Sequence, residues 1–170
     1  MRKYILISIF ALSFLLQLIP SNAGTASQRP EILIGSDYFP AVHKALSQAR
    51  QSIEVIMYLI IMDPQDTENP VNILINDLIA ARKKKARVRV ILENEKFNES
   101  QLAFETLQKN GIDVYYDTPK TYLHTKAIVI DSRICILGSA NWSRTAFYNN
   151  HEVSIILDSE ETAKAIKESL

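Results

Sequence analysis

The chain has 170 residues, and its 19 Lys and Arg residues balance its 19 Asp and Glu residues, so the formal net charge is zero. This composition does not indicate a strongly basic nucleic-acid-binding protein. The single cysteine, Cys135, excludes an intrachain disulfide, and its apolar neighbours predict a buried thiol.

Residues 1–23 have the pattern of a secretory signal peptide. Arg2 and Lys3 form a positive start, residues 4–19 are largely apolar, and small residues precede a predicted cleavage site before Gly24. The apolar run is shorter than the roughly 20 residues that span a bilayer. We therefore expect export to the periplasm or secretion, with membrane tethering by an uncleaved signal anchor as the alternative. Cleavage would leave enough residues for one domain with a sizeable core.

After a predicted flexible lead at residues 24–30, strand and helix patterns alternate through one domain at residues 31–170. Apolar and β-branched runs predict strands at residues 32–34, 53–59, 88–92 and 114–116. Helices are predicted from about 40 to 50, 71 to 85 and 100 to 109, and from Ser159 to the end. This order predicts a layered α/β/α fold with a mixed, largely parallel central sheet and helices on both faces.

A cluster of polar residues begins at the next strand. His124, Lys126 and Asp131 form an H-x-K-x4-D pattern around the apolar run 127–130, which predicts a buried strand. Alternate side chains of a strand share a face, so His124 and Lys126 point the same way and Asp131 faces away. A lone histidine is usually structural, but a charged pair entering an apolar strand favours function, because buried charge is costly unless it is paired or used.

Two further predicted strands carry polar groups toward the same edge of the sheet. Residues 134–137 form a strand after a tight turn at 131–133, and Ser139 and Asn141 follow it. They are two residues apart and could present a hydroxyl and an amide together. Glu152 begins the last apolar run, residues 153–157. Three adjacent strands would thus bring His, Lys, Ser, Asn and Glu to one sheet edge.

The H-x-K-x4-D pattern followed by G-S-x-N resembles the signature of the phospholipase D superfamily, phosphodiesterases named for this His-Lys-Asp motif. With N-x-E at residues 150–152, the spacing is most similar to that of the small single-motif bacterial endonucleases and phospholipase D-like proteins. The resemblance covers most of the chain after about residue 30. It implies a phospholipase D-like fold. Because two motifs combine in this family and the chain has one, it also implies a homodimer with a composite active site.

The residue types fit phosphodiester chemistry. The predicted catalytic set is His124, Lys126, Asp131 and Glu152. His124 would attack phosphorus to form a covalent phosphohistidine, and Glu152 would accept the other ring N–H of a histidine and fix its tautomer. Lys126, Ser139 and Asn141 would bind the phosphate and stabilise developing charge. Asp131, facing away, would support the groups that touch substrate. This mechanism needs no cofactor and no metal.

The phosphate-directed motif leaves three functions open. We favour a secreted or periplasmic endonuclease acting on DNA or RNA. The alternative is a phospholipase D that releases lipid head groups, with the apolar loop 58–62 touching membrane. A non-catalytic phosphate-binding module is a third reading, against which the intact polar set argues. The basic run 82–85 could bind a polyanion, but cations at a helix C-terminus also complement the helix dipole.

The remaining candidates have simpler interpretations. Trp142 could line a substrate groove, but a Trp that caps the core is the favoured interpretation. His43 lies at an ordinary helical position and is expected to have no chemical role. His151 neighbours Glu152, yet strand alternation turns the two side chains to opposite faces.

Overall fold

The computed structural model describes residues 29–169, so the predicted signal peptide (1–23) and residues 24–28 of the predicted lead lie outside the described residues. Seven strands form one sheet in the order β1-β7-β6-β5-β2-β3-β4. The strands are β1 (Glu31–Ile34), β2 (Ser52–Met57), β3 (Arg87–Leu92), β4 (Asp113–Tyr116), β5 (Lys126–Ile130), β6 (Ile134–Gly138) and β7 (Val153–Asp158). The helices are α1 (Tyr38–Ser47), α2 (Pro70–Lys83), α3 (Phe97–Lys109), α4 (Arg144–Tyr148) and α5 (Glu160–Glu168).

The sheet is mixed, as predicted, but the expectation that it is largely parallel is wrong. Only β2–β3 and β3–β4 are parallel pairs in the described sheet. The other pairs, β1–β7, β2–β5, β5–β6 and β6–β7, are antiparallel. Parallel neighbours need a long crossover, which α2 and α3 provide, whereas a tight turn can join only antiparallel strands. The turn between β5 and β6 is such a connection.

That turn has an unusual backbone. Asp131 and Ser132 have φ values of 51° and 55°, and Arg133 N donates to Ile130 O at 3.0 Å. Positive φ at both central residues matches the type I′ turns that suit hairpin twist. Asp tolerates this conformation better than most non-glycine residues, so the sequence D-S is compatible with the turn.

Helices cover both faces of the sheet, which confirms the layered α/β/α prediction. Buried residues of α1, α2, α3 and α4 share one large core cluster with one face of the sheet. On the other face, Ala163 and the partly buried Ile166 of α5 pack against Val129 and Cys135. Within residues 29–169, no helix combines the length and the apolarity needed to cross a membrane.

Two side chains behave as the sequence predicted for core residues. Trp142 is fully buried, and its Nε1 donates to Tyr38 Oη at 3.2 Å. Cys135 is also buried, and burial raises the pKa of its thiol to about 11. A thiol with a raised pKa is a poor nucleophile, so Cys135 serves packing.

The strand pairings bring the predicted polar positions to one edge. β5 and β7 begin at this edge, and β1, β2, β3, β4 and β6 end there. Lys126, the first residue of β5, lies opposite Met57, the last residue of β2. Residues just outside these strand ends therefore converge, although they are far apart in the chain.

Candidate active site

His124 and Lys126 lie together at this edge, as the sequence predicted. His124 is exposed, whereas Lys126 is 8% exposed. Lys126 Nζ lies 3.2 Å from His124 Nδ1 and donates to the His124 carbonyl oxygen at 2.7 Å. An ammonium group can only donate, so Nδ1 is the acceptor in this pair. Lys126 therefore contacts Nδ1 and not the other ring nitrogen, Nε2.

Tyr58, which follows β2, packs against both members of this pair. Its ring centroid lies 4.7 Å from the His124 ring and 4.7 Å from Lys126 Nζ, a cation–π distance. Burial lowers the pKa of Lys126, and the negative charge of Glu152 opposes this shift. Tyr58 thus restrains the imidazole and the ammonium at once.

Glu152 and Ser139 meet across β6 and β7. Ser139 Oγ donates to Glu152 Oε2, and Val153 N donates to Ser139 Oγ at 3.2 Å. Asn150 Nδ2 donates to Glu152 Oε1 at 3.0 Å. Ser139 and Asn150, and not a ring N–H of His124, therefore bind the two Glu152 oxygens. Asn150 had no assigned role in the sequence analysis, although it stands two residues before Glu152.

Asn141 adds a buried amide oxygen beyond the end of β6. Its side-chain Oδ1 is buried and finds no hydrogen-bond partner among residues 29–169. Its carbonyl oxygen accepts from Ser143 N at 3.0 Å. Buried polar atoms are normally hydrogen-bonded, so this unpaired acceptor just beyond a strand of the edge could receive a hydrogen bond from a ligand donor.

Asp131 is not part of this group, and the expectation that it supports the substrate-binding residues is not met. Its carboxylate accepts from the backbone N–H groups of Arg50, Gln51 and Ser52 at the other end of β5. At about 3.3 Å per residue, the strand separates Asp131 from Lys126 by roughly 16 Å. Burial alone would raise the pKa of Asp131, but these three N–H groups outweigh it and lower the pKa. Asp131 anchors the start of β2.

Two residues that the sequence analysis did not assign hold the segment before β5. Glu93 follows β3 and is 2% exposed; its Oε2 accepts from Leu123 N at 2.5 Å. Tyr122 Oη lies 2.7 Å from Tyr58 Oη, and its ring is nearly parallel to the His124 ring, with centroids 6.2 Å apart. Spacing relative to His124 could have indicated Tyr122, but nothing local indicated Glu93.

The other histidines lie in different settings. His43 Nδ1 lies 2.6 Å from Asp77 Oδ2 between α1 and α2, which agrees with a structural role. His151 is exposed, immediately before Glu152. Across the described residues 29–169, no three His, Cys, Asp or Glu side chains lie close enough to hold a metal ion together.

Known proteins with similar sequences include lipid hydrolases. A mitochondrial cardiolipin hydrolase from Canis lupus familiaris is 32% identical over 127 residues, which are 74% of this chain and 46% of the relative. A phospholipase D from Rickettsia conorii is 32% identical over 88 residues, 52% of this chain and 44% of the relative. The chain thus spans about half the length or less of these two relatives.

Solved structures share the fold. Nuc from Salmonella typhimurium, described as a phospholipase D family member, superimposes with a TM-score of 0.70 at 21% identity over 82% of this chain and 91% of Nuc. The family model for the "Cardiolipin synthase, PLD-like domain" matches residues 42–170 and thus includes every residue of the site described above. The chain therefore belongs to the phospholipase D-like family.

Proposed function

We propose that the protein hydrolyses phosphodiester bonds with His124 as the nucleophile. The observation that carries this proposal is the exposed His124 ring held against the buried Lys126 ammonium at 3.2 Å. An imidazole can attack phosphorus near neutral pH, and the ammonium can hold a nonbridging oxygen. The names of the cardiolipin hydrolase and phospholipase D relatives support the same chemistry.

We infer the order of events from the observed hydrogen bond. Because Lys126 donates to Nδ1, the proton of the neutral ring is on Nε2. Nε2 becomes nucleophilic only after this proton moves to Nδ1, which requires Lys126 to leave Nδ1. A substrate phosphate attracts the ammonium and frees Nδ1. Nε2 then forms the P–N bond as the leaving oxygen departs with a proton, and water later hydrolyses that bond.

Three neutral or acidic groups complete the proposed site. Ser139 Oγ and Asn141 Nδ2 donate to the phosphate, and Glu152 accepts the Nδ1–H of His124 in the substrate complex. The influence of Glu152 on the Lys126 pKa supports its place beside the reacting groups. Binding of phosphate by Ser139 would release Glu152 from its present hydrogen bond with that hydroxyl.

We further propose that the working unit is a homodimer with one composite site. In-line displacement needs a nucleophile on one side of phosphorus and a proton donor on the other, and one imidazole cannot occupy both positions. The pairing of His43 with Asp77 and the expected outward orientation of His151 leave His124 of a second copy as the donor. A two-fold axis presents the same patch twice.

An endonuclease acting on DNA or RNA is our first choice of activity. Exposed Tyr122 and the cations Lys126 and Lys96 near Tyr58 support a site for nucleic acid, because aromatic rings and cations together bind single strands. Phospholipid hydrolysis is the alternative. The names of the relatives and the 41% exposure of Ile61, in the loop after β2, favour it.

From residues 1–23 we also propose export to the periplasm or secretion, to be tested by sequencing the mature N-terminus.

The test compares wild-type protein with His124→Asn on two substrates, a labelled oligonucleotide and cardiolipin vesicles. We expect hydrolysis of at least one substrate by wild type and its loss in His124→Asn. His43→Ala is the matched control and should keep nearly full activity. Retention of a tenth of the wild-type turnover in His124→Asn would refute the nucleophile, and hydrolysis of vesicles alone would assign the phospholipase activity.

A further inference from the structure

Tyr122 is an exposed aromatic ring with a fixed position. The residue is 50% exposed, yet its hydroxyl is bound to Tyr58 at 2.7 Å, and the next residue, Leu123, is held by the buried carboxylate of Glu93. Its ring lies at 15° to the ring of His124. An exposed side chain usually moves between rotamers, but these contacts restrain Tyr122. They hold its flat apolar ring beside the nucleophile.

Two cations lie near Tyr58, the residue that holds this ring. Lys126 Nζ and Lys96 Nζ lie 4.7 Å and 5.7 Å from the Tyr58 centroid, and Tyr58 contacts Tyr122. Lys96 also pairs with Glu99 at 3.3 Å, so part of its charge is compensated. The hydrogen bond with Tyr58 raises the pKa of Tyr122 to about 12, above the ordinary value of about 10 at which a phenol is already neutral near pH 7. A neutral ring does not repel a phosphate that these cations attract.

The chemistry of this surface distinguishes between substrates. A nucleotide has a planar base attached within one sugar of its phosphodiester, and every base has a π-face that can stack on an aromatic ring. A glycerophospholipid such as cardiolipin has no planar ring so close to its phosphodiester. A half-exposed, fixed ring parallel to the nucleophilic imidazole can therefore stack on the base of a nucleotide. It offers a phospholipid only general apolar contact.

We propose that Tyr122 is a specificity-determining residue that stacks on the nucleobase next to the scissile phosphate. This inference rests on the proposed phosphodiesterase function and deepens it, because it assigns nucleic acid as the substrate class. Tyr122 acts by binding the base, and it neither transfers a proton nor contacts phosphorus. Tyr58 is the positioning residue that holds Tyr122, through the bond between the two hydroxyls.

The test measures binding in a His124→Asn background, so that hydrolysis does not interfere. Fluorescence anisotropy compares an oligothymidylate with an abasic oligomer of the same length, which has the same phosphates and no bases. With Tyr122 present, we expect the oligothymidylate to bind about 10-fold more tightly than the abasic oligomer. Tyr122→Ala should remove most of that preference, and Tyr122→Trp should retain it.

Tyr115→Ala provides the matched control, because Tyr115 is also an exposed tyrosine (37%) but lies on the edge strand β4. It should leave the preference for bases unchanged. Circular dichroism verifies folding, and Tyr122→Leu replaces Tyr122→Ala if the smaller side chain unfolds the protein. Equal affinity for the two oligomers, absence of oligonucleotide binding, or equal weakening of both by Tyr122→Ala would overturn the stacking role.

These results separate the inference from the proposed function. Base-dependent binding through Tyr122, without His124-dependent hydrolysis by the wild-type protein, would retain the stacking role and refute the enzyme. Hydrolysis that depends on His124, without any base preference, would retain the enzyme and refute the stacking role. Each result therefore decides one of the two proposals.

Discussion

Lys126 Nζ lies 3.2 Å from His124 Nδ1, so the predicted nucleophile and the predicted phosphate ligand are bound to each other in the free protein. The ammonium occupies the ring nitrogen that must carry the proton when Nε2 attacks. Binding of a phosphate to Lys126 would therefore also prepare the imidazole. This relationship makes Lys126 responsible for both the charge and the tautomer of the site.

Replacing Lys126 should separate activity from stability. Lys126→Met should lower kcat by about 10²–10³-fold, because one preorganised charge is lost from the transition state. Burial lowers the pKa of Lys126, so the charged ammonium destabilises the folded protein at pH values below that pKa. The wild-type free energy of unfolding should therefore rise as the pH increases from the folded-state pKa to the unfolded-state pKa of this lysine. Urea denaturation of both proteins from neutral to alkaline pH checks this. A pH-independent difference in their free energies of unfolding would contradict it.

Activity should persist in EDTA and respond to salt. His124 supplies the nucleophile and Lys126 the positive charge, which are the two contributions that a metal ion would otherwise make. Rates with and without EDTA should therefore agree, and loss in EDTA with recovery in magnesium would contradict the mechanism.

If the substrate is nucleic acid, affinity should fall steeply with salt, because phosphate binding releases counterions. A titration of binding against salt concentration measures this slope.

A shared active site should make His124→Asn dominant in mixtures. If each site needs His124 from both copies, subunit exchange in an equal mixture should leave about a quarter of the activity of the same total amount of wild-type protein, because only wild-type pairs are active. Independent monomers would leave about half. Light scattering gives the oligomeric state of each sample. A fully active monomer would rule out the shared site.

Asp131 should contribute to stability and not to catalysis. Asp131→Asn keeps a residue that tolerates positive φ but loses the charge that binds Arg50, Gln51 and Ser52, so we expect a loss of about 2 kcal/mol at neutral pH with little change in kcat. The folded-state pKa of Asp131 is lowered, so this stability is present above its unfolded pKa of about 3.9 and is lost as pH falls through the folded value. Urea denaturation at neutral and acidic pH should show the two proteins converging in acid.

The sequence alone determined the local features of the site. The predicted strands were found within about two residues at most ends. A strand of this kind is recognised from a run of consecutive apolar and β-branched residues, which the sequence displays directly. The proximity of His124 and Lys126 also followed from the sequence, since residues two apart in an extended segment share a face. Helix α4, with five residues, was missed because it is too short to show helical periodicity.

Only the tertiary structure decided contacts between distant segments. Four of the six strand pairings in the described sheet are antiparallel. The residue pattern within one strand does not specify which strand lies beside it or in which direction that neighbour runs. Tyr58 and Tyr122 are 64 residues apart, and Glu93 and Leu123 are 30 apart, yet they fix the segment beside the nucleophile. Asp131 illustrates the same limit: alternation predicted its face, but only folding brought the backbone of residues 50–52 to its carboxylate. Such partners depend on chain packing, which the residues near the motif do not encode.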